Sequence, residues 1–249
     1  RLKELGDQIK GLVRGSQQKQ REALTDDELK FLVEVTHPDH PLNPFKRTTR
    51  HRNYALVLMY VELGVREGEP LVLKGQHVHM SGASPKIVIV PNPHDIQDQR
   101  ADAPQVKTAG RSLPTSKPLS AAIDYYNTKV RPKTKGTKNQ HFVFTTSTDG
   151  AALSLDAVYS IFRVLRKRFP DHLPANLCPH ILRHTWNARF RAQAAGRKWE
   201  DGFRDVVNNY LMGWSKTSVQ GKRYGHSQIV REAEKVLLDL QAGLVGAIA

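Results

Sequence analysis

The sequence predicts an α+β domain that is mainly helical and carries a small antiparallel sheet. Apolar residues recur at helical spacing over most of the chain after residue 117. Short, β-branched-rich runs bounded by turn residues occur between residues 70 and 114. The length of 249 residues suits one large domain, or a domain plus a small appendage.

Two helices are predicted before the sheet. Thr25 and Glu28 have the spacing of a capping box, so a helix should begin there. Residues 54–63 are apolar nearly all round and precede Gly64, which indicates a buried helix with a glycine stop. The strands are expected at residues 70–74, 86–91 and 105–114, with a long flexible tip over residues 92–103.

The remaining elements are predicted to be helices with one solvated basic loop at residues 131–138. Helical periodicity covers residues 119–126, 155–169, 181–194, 203–212 and 228–240.

The charge indicates a polyanionic partner. Lys and Arg number 38 against 24 Asp and Glu, which gives a formal net charge of +14. These cations are spread from end to end, as on a folded basic surface, so duplex nucleic acid is the expected partner. A solvated basic surface with no specific partner is the alternative interpretation.

The cysteine content and the hydropathy point to an intracellular protein. Cys178 stands alone, so the chain has no internal disulfide framework. No apolar run approaches the roughly 18 residues that a membrane span needs, and the first residues lack the hydrophobic region of a signal peptide. We therefore expect a cytoplasmic protein, associated with the nucleoid if it is bacterial, and no membrane partner.

Phosphodiester chemistry is suggested by three segments near the C-terminus, HILRHT at residues 180–185, LMGW at 211–214 and KRYGH at 222–226. Guanidinium groups suit a phosphate in transfer because their planar fork donates two parallel hydrogen bonds to its oxygens, and Arg66 and Arg183 are the candidates. A tyrosine needs cations or a base beside it to attack at neutral pH, and Tyr224 has such neighbours. The leaving oxygen needs a proton, which Lys107 is placed to give.

The ordered boxes resemble the catalytic half of the tyrosine recombinase (phage integrase) family. The first arginine box is similar to GVREGE at residues 64–69, and the hairpin lysine box to KTAGRSLP at residues 107–114. The H-x-L-R-H-T and Y-x-H boxes match residues 180–185 and 224–226, and the L-G-[HW] box matches residues 211–214 with one extra residue. The similarity runs from about residue 25 to residue 240.

The resemblance implies a set of roles. Tyr224 would attack a scissile phosphate to give a 3′-phosphotyrosyl intermediate and a free 5′-hydroxyl. The other residues implied in catalysis are Arg66, Lys107, His180, Arg183 and Trp214, with Glu69 and His184 supporting them. Such a reaction conserves bond energy, so neither a metal, ATP nor any other cofactor is expected.

DNA contacts are expected from basic residues before and in the second helix, in the hairpin and beside the nucleophile. These are Lys46, Arg47, Arg50, Arg52, Arg111, Lys222 and Arg223. Self-association into a synaptic complex on DNA is expected through residues 228–249, whose apolar face needs a partner; packing on its own domain is the alternative.

The predicted domain organisation follows from the resemblance. Residues 1–24 are interpreted as a linker or the end of a missing N-terminal DNA-binding domain, and residues 25–249 as the catalytic domain. The expected function is site-specific DNA recombination or integration on behalf of a mobile genetic element.

Other functions remain open at this stage. A type IB topoisomerase would use similar chemistry without exchanging partners, and a DNA-binding protein on the same fold would form no adduct. A protelomerase-like hairpin former is a third alternative. Cys178 and His180 with His184, or His77 with His79, superficially resemble metal ligands, but zinc usually needs four ligands at recognisable spacing.

Overall fold

The computed structural model describes residues 23–91, 95–106, 108–200, 202–214 and 225–248. Residues 1–22, most of the predicted linker, lie outside this range. The helices are α1 Asp26–Thr36, α2 Arg50–Leu63, α3 Lys117–Tyr125, α4 Leu155–Arg168, α5 Pro179–Ala195, α6 Phe203–Met212 and α7 His226–Ile248. The strands are β1 Val78–His79, β2 Lys86–Ile89 and β3 Arg111–Pro114. The predicted α+β class, mainly helical with a small antiparallel sheet, is confirmed.

Helix α1 begins at the predicted capping box. The Glu28 amide donates to Thr25 Oγ1 at 3.2 Å, and the Thr25 amide donates to Glu28 Oε2 at 2.7 Å. Helix α2 is buried nearly all round, as its sequence predicts, and packs against α1, α3, α5 and α7. It is the central helix of the core, and it ends in the left-handed conformation at Gly64, with φ of 58°.

The sheet is three-stranded in the order β1-β2-β3, with both pairs antiparallel. The predicted strand at residues 70–74 is wrong, because Pro70–Val72 form a 3₁₀ turn. Leu73 accepts a single bond from the Val143 amide at 2.8 Å, and Lys74 forms an isolated bridge with Phe142.

The predicted flexible tip and solvated loop are both anchored in the described residues. Arg100 donates to the carbonyl oxygens of Leu153 at 2.5 Å and Leu71 at 3.1 Å, which ties the tip to the body. Arg131 donates to the carbonyl oxygens of Gln140 and Phe142 from within the basic loop. The guanidinium groups of both arginines therefore bind acceptors within the protein.

Helix α7 packs on its own domain, which was the alternative given above for its apolar face, and its predicted role in self-association on DNA stays a prediction. Its apolar face is buried against α1, α2, α5, α6 and β3. Each Val, Leu or Ile side chain on this face contributes about 1.5–3 kcal/mol when it is removed from water. The buried residues on this face are Ile229, Ala233, Val236, Leu237, Leu240 and Leu244. Because this face belongs to the core, it is not free for a neighbouring subunit in this structure.

Glu62 is a buried acid in α2 that should make stability depend on pH. It is 3% exposed, and its Oε2 atom has no hydrogen-bond partner. Burial raises the pKa of Glu62 from 4.5 to about 7, and a hydrogen bond from Ser116 opposes this rise in part. The folded protein therefore holds a proton that the unfolded chain has released.

Stability should consequently fall as the pH rises from about 4.5 to 7, by about 3 kcal/mol from this group alone. Glu62→Gln keeps the shape and cannot ionise, so it should flatten this dependence and be more stable than the natural protein at pH 8. Urea unfolding between pH 5 and 8 measures the effect, with Glu34→Gln on α1, whose side chain is 38% exposed, as the control. If the free energy of unfolding depends on pH in the same way for the natural protein and for Glu62→Gln, the raised pKa of Glu62 is contradicted.

Candidate active site

A pocket of about 620 Å³ opens where the turn after α2 meets the start of α5 and the end of α6. It brings together four of the predicted catalytic residues, Arg66, His180, Arg183 and Trp214. The other lining residues are Val65, Glu67, Tyr159, Cys178, Pro179, His184, Asn187 and Met212. Residues separated by about 150 positions thus share one cavity whose charged members are mostly cations.

The turn that carries Arg66 is fixed from two sides. A Cβ atom at Gly64 would lie 2.6 Å from Trp186 ring atoms, so only glycine fits against that indole. Trp186 Nε1 donates to the Glu62 carbonyl oxygen at 2.9 Å. The Arg66 amide donates to Glu69 Oε2 at 2.8 Å, which holds the turn while the half-buried Arg66 side chain faces the pocket.

Arg183 lies at the back of the pocket and links two of its walls. Its Nη1 donates to the Gly64 carbonyl oxygen and its Nη2 to the Met212 carbonyl oxygen, both at 2.7 Å. Burial lowers the pKa of Arg183 to about 10; Glu69 opposes the shift, and the positive charges of Arg111 and Arg66 add to it. The group stays protonated at neutral pH, so it offers a desolvated positive charge.

His180 and His184 form a pair one helical turn apart on α5. Their Nε2 atoms are 2.9 Å apart and their rings meet edge to face. A hydrogen bond between two imidazole nitrogens requires one to carry the proton and the other to accept it. The pair therefore holds at least one proton at the pocket that can be exchanged.

Trp214 lies at the mouth of the pocket, just after α6. Its amide donates to the Asn209 carbonyl oxygen at 2.9 Å, and the residue is 38% exposed. Gly213 precedes it in the left-handed conformation with φ of 64°. A Cβ atom there would meet Arg111 Nη1 at 2.6 Å and Thr108 Cβ at 2.8 Å, so this turn also requires glycine.

Glu69, which is predicted to support the catalytic residues, is a buried carboxylate that accepts from the Arg66 amide. It accepts hydrogen bonds from Arg111 Nη1 at 3.0 Å, Arg111 Nη2 at 2.9 Å and Thr108 Oγ1 at 2.5 Å. Although burial alone would raise the pKa of Glu69, the guanidinium of Arg111 and the hydrogen bonds lower it below its usual value. The carboxylate is therefore ionised close to Arg66 and Arg183, the two arginines predicted to be catalytic.

Tyr159 and Glu67 are among the residues of the pocket wall that the sequence did not predict. The Tyr159 hydroxyl donates to Glu67 Oε2, and both side chains line the pocket. Tyr159 lies on α4, and nothing in its local sequence separates it from a core aromatic. The described part of the pocket thus contains a phenol, that of Tyr159, whose role must be distinguished from the one predicted for Tyr224.

Several predicted site residues lie outside the described residues, namely Lys107, Lys222, Arg223 and Tyr224. Those residues stay predictions. The described neighbours of Lys107 are both buried, Val106 at 6% exposure and Thr108 at 2%. The turn at Gly213 and Trp214 is the described point from which the chain leads towards Tyr224.

The predicted DNA contacts in and before α2 divide by exposure. Lys46 and Arg47 are exposed, whereas Arg50 is half-buried and donates to the carbonyl oxygens of Pro38 and Phe45. The structure does not support a DNA contact by Arg52, which is buried at 8% exposure and donates to the Thr145 carbonyl oxygen and to Asn53.

Arg111 also departs from its predicted role as a DNA contact. Its side chain is fully buried, and its guanidinium is occupied by Glu69 and the Leu211 carbonyl oxygen. Charge in a sequence does not reveal such internal partners.

Within the described ranges, no group of three or more His, Cys, Asp or Glu side chains is placed to hold a metal ion. No helix of the described part is both long and apolar enough to cross a membrane.

Comparison of the chain with known proteins finds similarity in structure and none in sequence. No protein-family model matches the chain, and no curated protein matches it by sequence. Solved structures do match. The XerA recombinase superimposes with a TM-score of 0.51 at 19% identity, covering 85% of this chain and 61% of the XerA chain.

Two further solved structures contain DNA. The XerH site-specific recombinase bound to its difH substrate matches with a TM-score of 0.54 at 17% identity, over 81% of this chain and 49% of that one. The Tn1549 transposon integrase in complex with transposon right-end DNA matches with a TM-score of 0.59 at 18% identity, over 89% of this chain and 67% of that one.

The chain thus spans about half to two thirds of the length of these proteins. The chain therefore has the fold of the tyrosine recombinase (phage integrase) catalytic domain.

Proposed function

We propose that this chain is the catalytic domain of a site-specific DNA recombinase or integrase that cuts and rejoins duplex DNA through a 3′-phosphotyrosyl intermediate. The observation that carries the proposal is the pocket in which Arg66, Arg183, His180 and Trp214 converge. These residues come from three ordered boxes of the sequence. A common pocket is what a shared reaction requires of them.

The two arginines would bind the scissile phosphate and stabilise the charge that builds up during transfer. Arg66 faces the pocket from the turn after α2, and Arg183 lies behind it with two of its nitrogens bonded to backbone carbonyl oxygens. A guanidinium held in this way is oriented before the substrate arrives, so little reorganisation accompanies the reaction. Trp214 would support the phosphate from the mouth of the pocket.

Proton transfer would accompany the exchange of one phosphodiester bond for another. Tyr224 Oη would form a bond to phosphorus as the bond from phosphorus to the 5′ oxygen breaks. The phenolic proton would pass to His180, and Lys107 would give a proton to the departing 5′ oxygen. The free 5′-hydroxyl of a partner strand would then reverse these steps, so the number of phosphodiester bonds is unchanged and no cofactor enters the balance.

A basic face of α4 offers a path for the DNA backbone beside the pocket. Tyr159 lines the pocket, and Arg163 and Lys167 follow it at intervals of four residues on the same face of the helix. Both cations are exposed. Together with the net charge of +14, this face supports duplex DNA as the partner.

Strand exchange needs two cut duplexes held together, so we propose that the protein self-associates on DNA. The apolar face of α7 is buried in its own domain, so this assembly would use another surface or require α7 to detach. Assembly on paired sites also separates a recombinase from a topoisomerase-like enzyme, which would only relax DNA.

A trapped covalent complex tests the proposed function. The protein should form a denaturation-resistant adduct on a nicked duplex target, and peptide mapping should place that adduct on Tyr224. An adduct on Tyr159, the other phenol of the site, would reassign the nucleophile. DNA binding without any adduct would indicate a non-catalytic DNA-binding protein on the same fold.

A further inference from the structure

The C-terminal end of α6 is held by three donors that come from different parts of the site. The Leu211 carbonyl oxygen accepts from Arg111 Nε at 2.7 Å, and the Met212 carbonyl oxygen accepts from Arg183 Nη2 at 2.7 Å. The Gly213 carbonyl oxygen accepts from the Ala109 amide at 3.0 Å. The last carbonyl groups of a helix have no partner within it, and they carry partial negative charge that favours cations.

Arg111 joins this helix end to the turn of Arg66. Its two terminal nitrogens donate to the two oxygens of Glu69, which in turn accepts from the Arg66 amide. The Arg111 and Glu69 side chains are 0% and 1% exposed, so the pair is fully desolvated. A buried, bidentate pair of this kind has one geometry, because any displacement leaves a charge unpaired in a medium of low dielectric constant.

The same carboxylate also holds the strand that returns from the hairpin. Thr108 Oγ1 donates to Glu69 Oε1, and Thr108 is the residue after the proposed general acid Lys107. Gly213 packs directly on this cluster, since a Cβ atom there would come within 2.6 Å of Arg111 Nη1. One guanidinium thus links the Arg66 turn, the Thr108 segment and the turn before Trp214.

We propose that Arg111 is a positioning residue that fixes the relative placement of these three segments, and so acts on the reaction through Arg66, Arg183 and Trp214 without touching DNA. This rests on the function proposed above. Lysine cannot replace it, because one ammonium cannot span Glu69 and the Leu211 carbonyl oxygen in the fixed fork geometry of arginine.

Arg100 provides a matched control elsewhere in the same domain. It too pairs with a carboxylate by two nitrogens, at 2.8 and 2.6 Å from Asp98, and it too donates to backbone carbonyl oxygens, those of Leu153 and Leu71. Its side chain is 11% exposed. None of its partners lines the pocket, so Arg100→Lys should lose comparable stability without a loss of cleavage.

The test compares Arg111→Lys with Arg100→Lys in single-turnover cleavage of a nicked duplex and in the affinity for that duplex. Arg111→Lys should cleave about 10-fold more slowly or worse, since small misplacements of reacting groups are costly, and its DNA affinity should change less than about 2-fold. Arg100→Lys should cleave within about 2-fold of the natural protein. Equal losses in the two variants would overturn the positioning role.

A readout that does not depend on cleavage keeps the positioning role separate from the proposed function. In Arg111→Lys the amide hydrogens of Arg66 and Ala109, which are bonded within this cluster, should exchange about 10-fold faster or more than in Arg100→Lys. Unchanged exchange at both amides would overturn the inference. If these amides exchange faster in Arg111→Lys but the natural protein forms no covalent adduct with DNA, the link made by Arg111 is upheld and the recombinase function is rejected.

A double variant separates the effect of the Arg111–Glu69 pair on stability from its effect on the placement of the three segments. Glu69→Gln with Arg111→Met removes the buried charge pair as a whole, so it should be more stable than either single variant. Cleavage should stay low in the double variant because the link to the Leu211 carbonyl oxygen is still missing. Recovery of both stability and cleavage would show that the pair serves folding alone.

Discussion

Tyr224→Phe is expected to abolish DNA cleavage and adduct formation while leaving the affinity for duplex DNA nearly unchanged. The substitution removes only the phenolic oxygen that would attack the phosphate, so the proposed covalent bond cannot form. Binding depends on many phosphate contacts, so the loss of one hydroxyl should change it little. Gel assays of cleavage and filter binding on the same nicked duplex measure the two quantities.

The matched control for this prediction is Tyr159→Phe. Tyr159 is the second phenol of the site, it lines the pocket, and its hydroxyl donates to Glu67. If Tyr224 is the nucleophile, Tyr159→Phe should still form an adduct, because the hydroxyl that it removes is not the one that attacks the phosphate. Cleavage by Tyr224→Phe at the natural rate, or its loss in Tyr159→Phe alone, would refute the assignment.

The sequence predicts most of the helices because each has its own local signal. The capping box at Thr25, the glycine after α2 and the apolar periodicity of α4 to α7 are all carried by neighbouring residues. The predicted strand at residues 70–74 is wrong for the opposite reason. Strand formation depends on a partner at the sheet edge, and here the hydrogen-bonding position beside β2 is taken by β1.

The sequence also fails to predict the partners of charged residues when these partners are distant along the chain. The sequence predicts that Arg52 and Arg111 contact DNA, yet both side chains are buried. Arg52 donates to the carbonyl oxygen of Thr145. Arg111 donates to the carbonyl oxygen of Leu211 and pairs with Glu69. Only the tertiary fold decides whether a guanidinium meets solvent or a carbonyl oxygen. The pairing of Glu67 with Tyr159 is hidden from the sequence in the same way.

The convergence of the predicted catalytic boxes is visible only in the structure. Arg66 and Arg183 are 117 residues apart in sequence, and they meet because Arg183 donates to the carbonyl oxygen of Gly64 at the end of α2. The glycine that stops the helix therefore also supplies an acceptor to the site. A single left-handed residue serves the end of the helix, the packing of Trp186 and the placement of Arg183.

Arg183→Lys is expected to slow cleavage by at least roughly 100-fold, in line with the loss of one oriented donor to the transition state. Two nitrogens of Arg183 are held by the carbonyl oxygens of Gly64 and Met212. An ammonium cannot keep both of these bonds and still present a fork to the phosphate. In this buried position beside Arg66 and Arg111 it is also more easily deprotonated than a guanidinium.

Because Arg183 joins two walls of the pocket, the variant should lose stability as well, and the two effects must be separated. Arg131→Lys is the matched control, since Arg131 Nη2 also bridges two backbone carbonyl oxygens, at 2.5 Å from Gln140 and 3.0 Å from Phe142, away from the pocket. Cleavage of both variants is compared well below their melting temperatures. Arg131→Lys should then retain the natural rate, and an equal deficit in the two variants would make Arg183 a structural arginine with no part in the reaction.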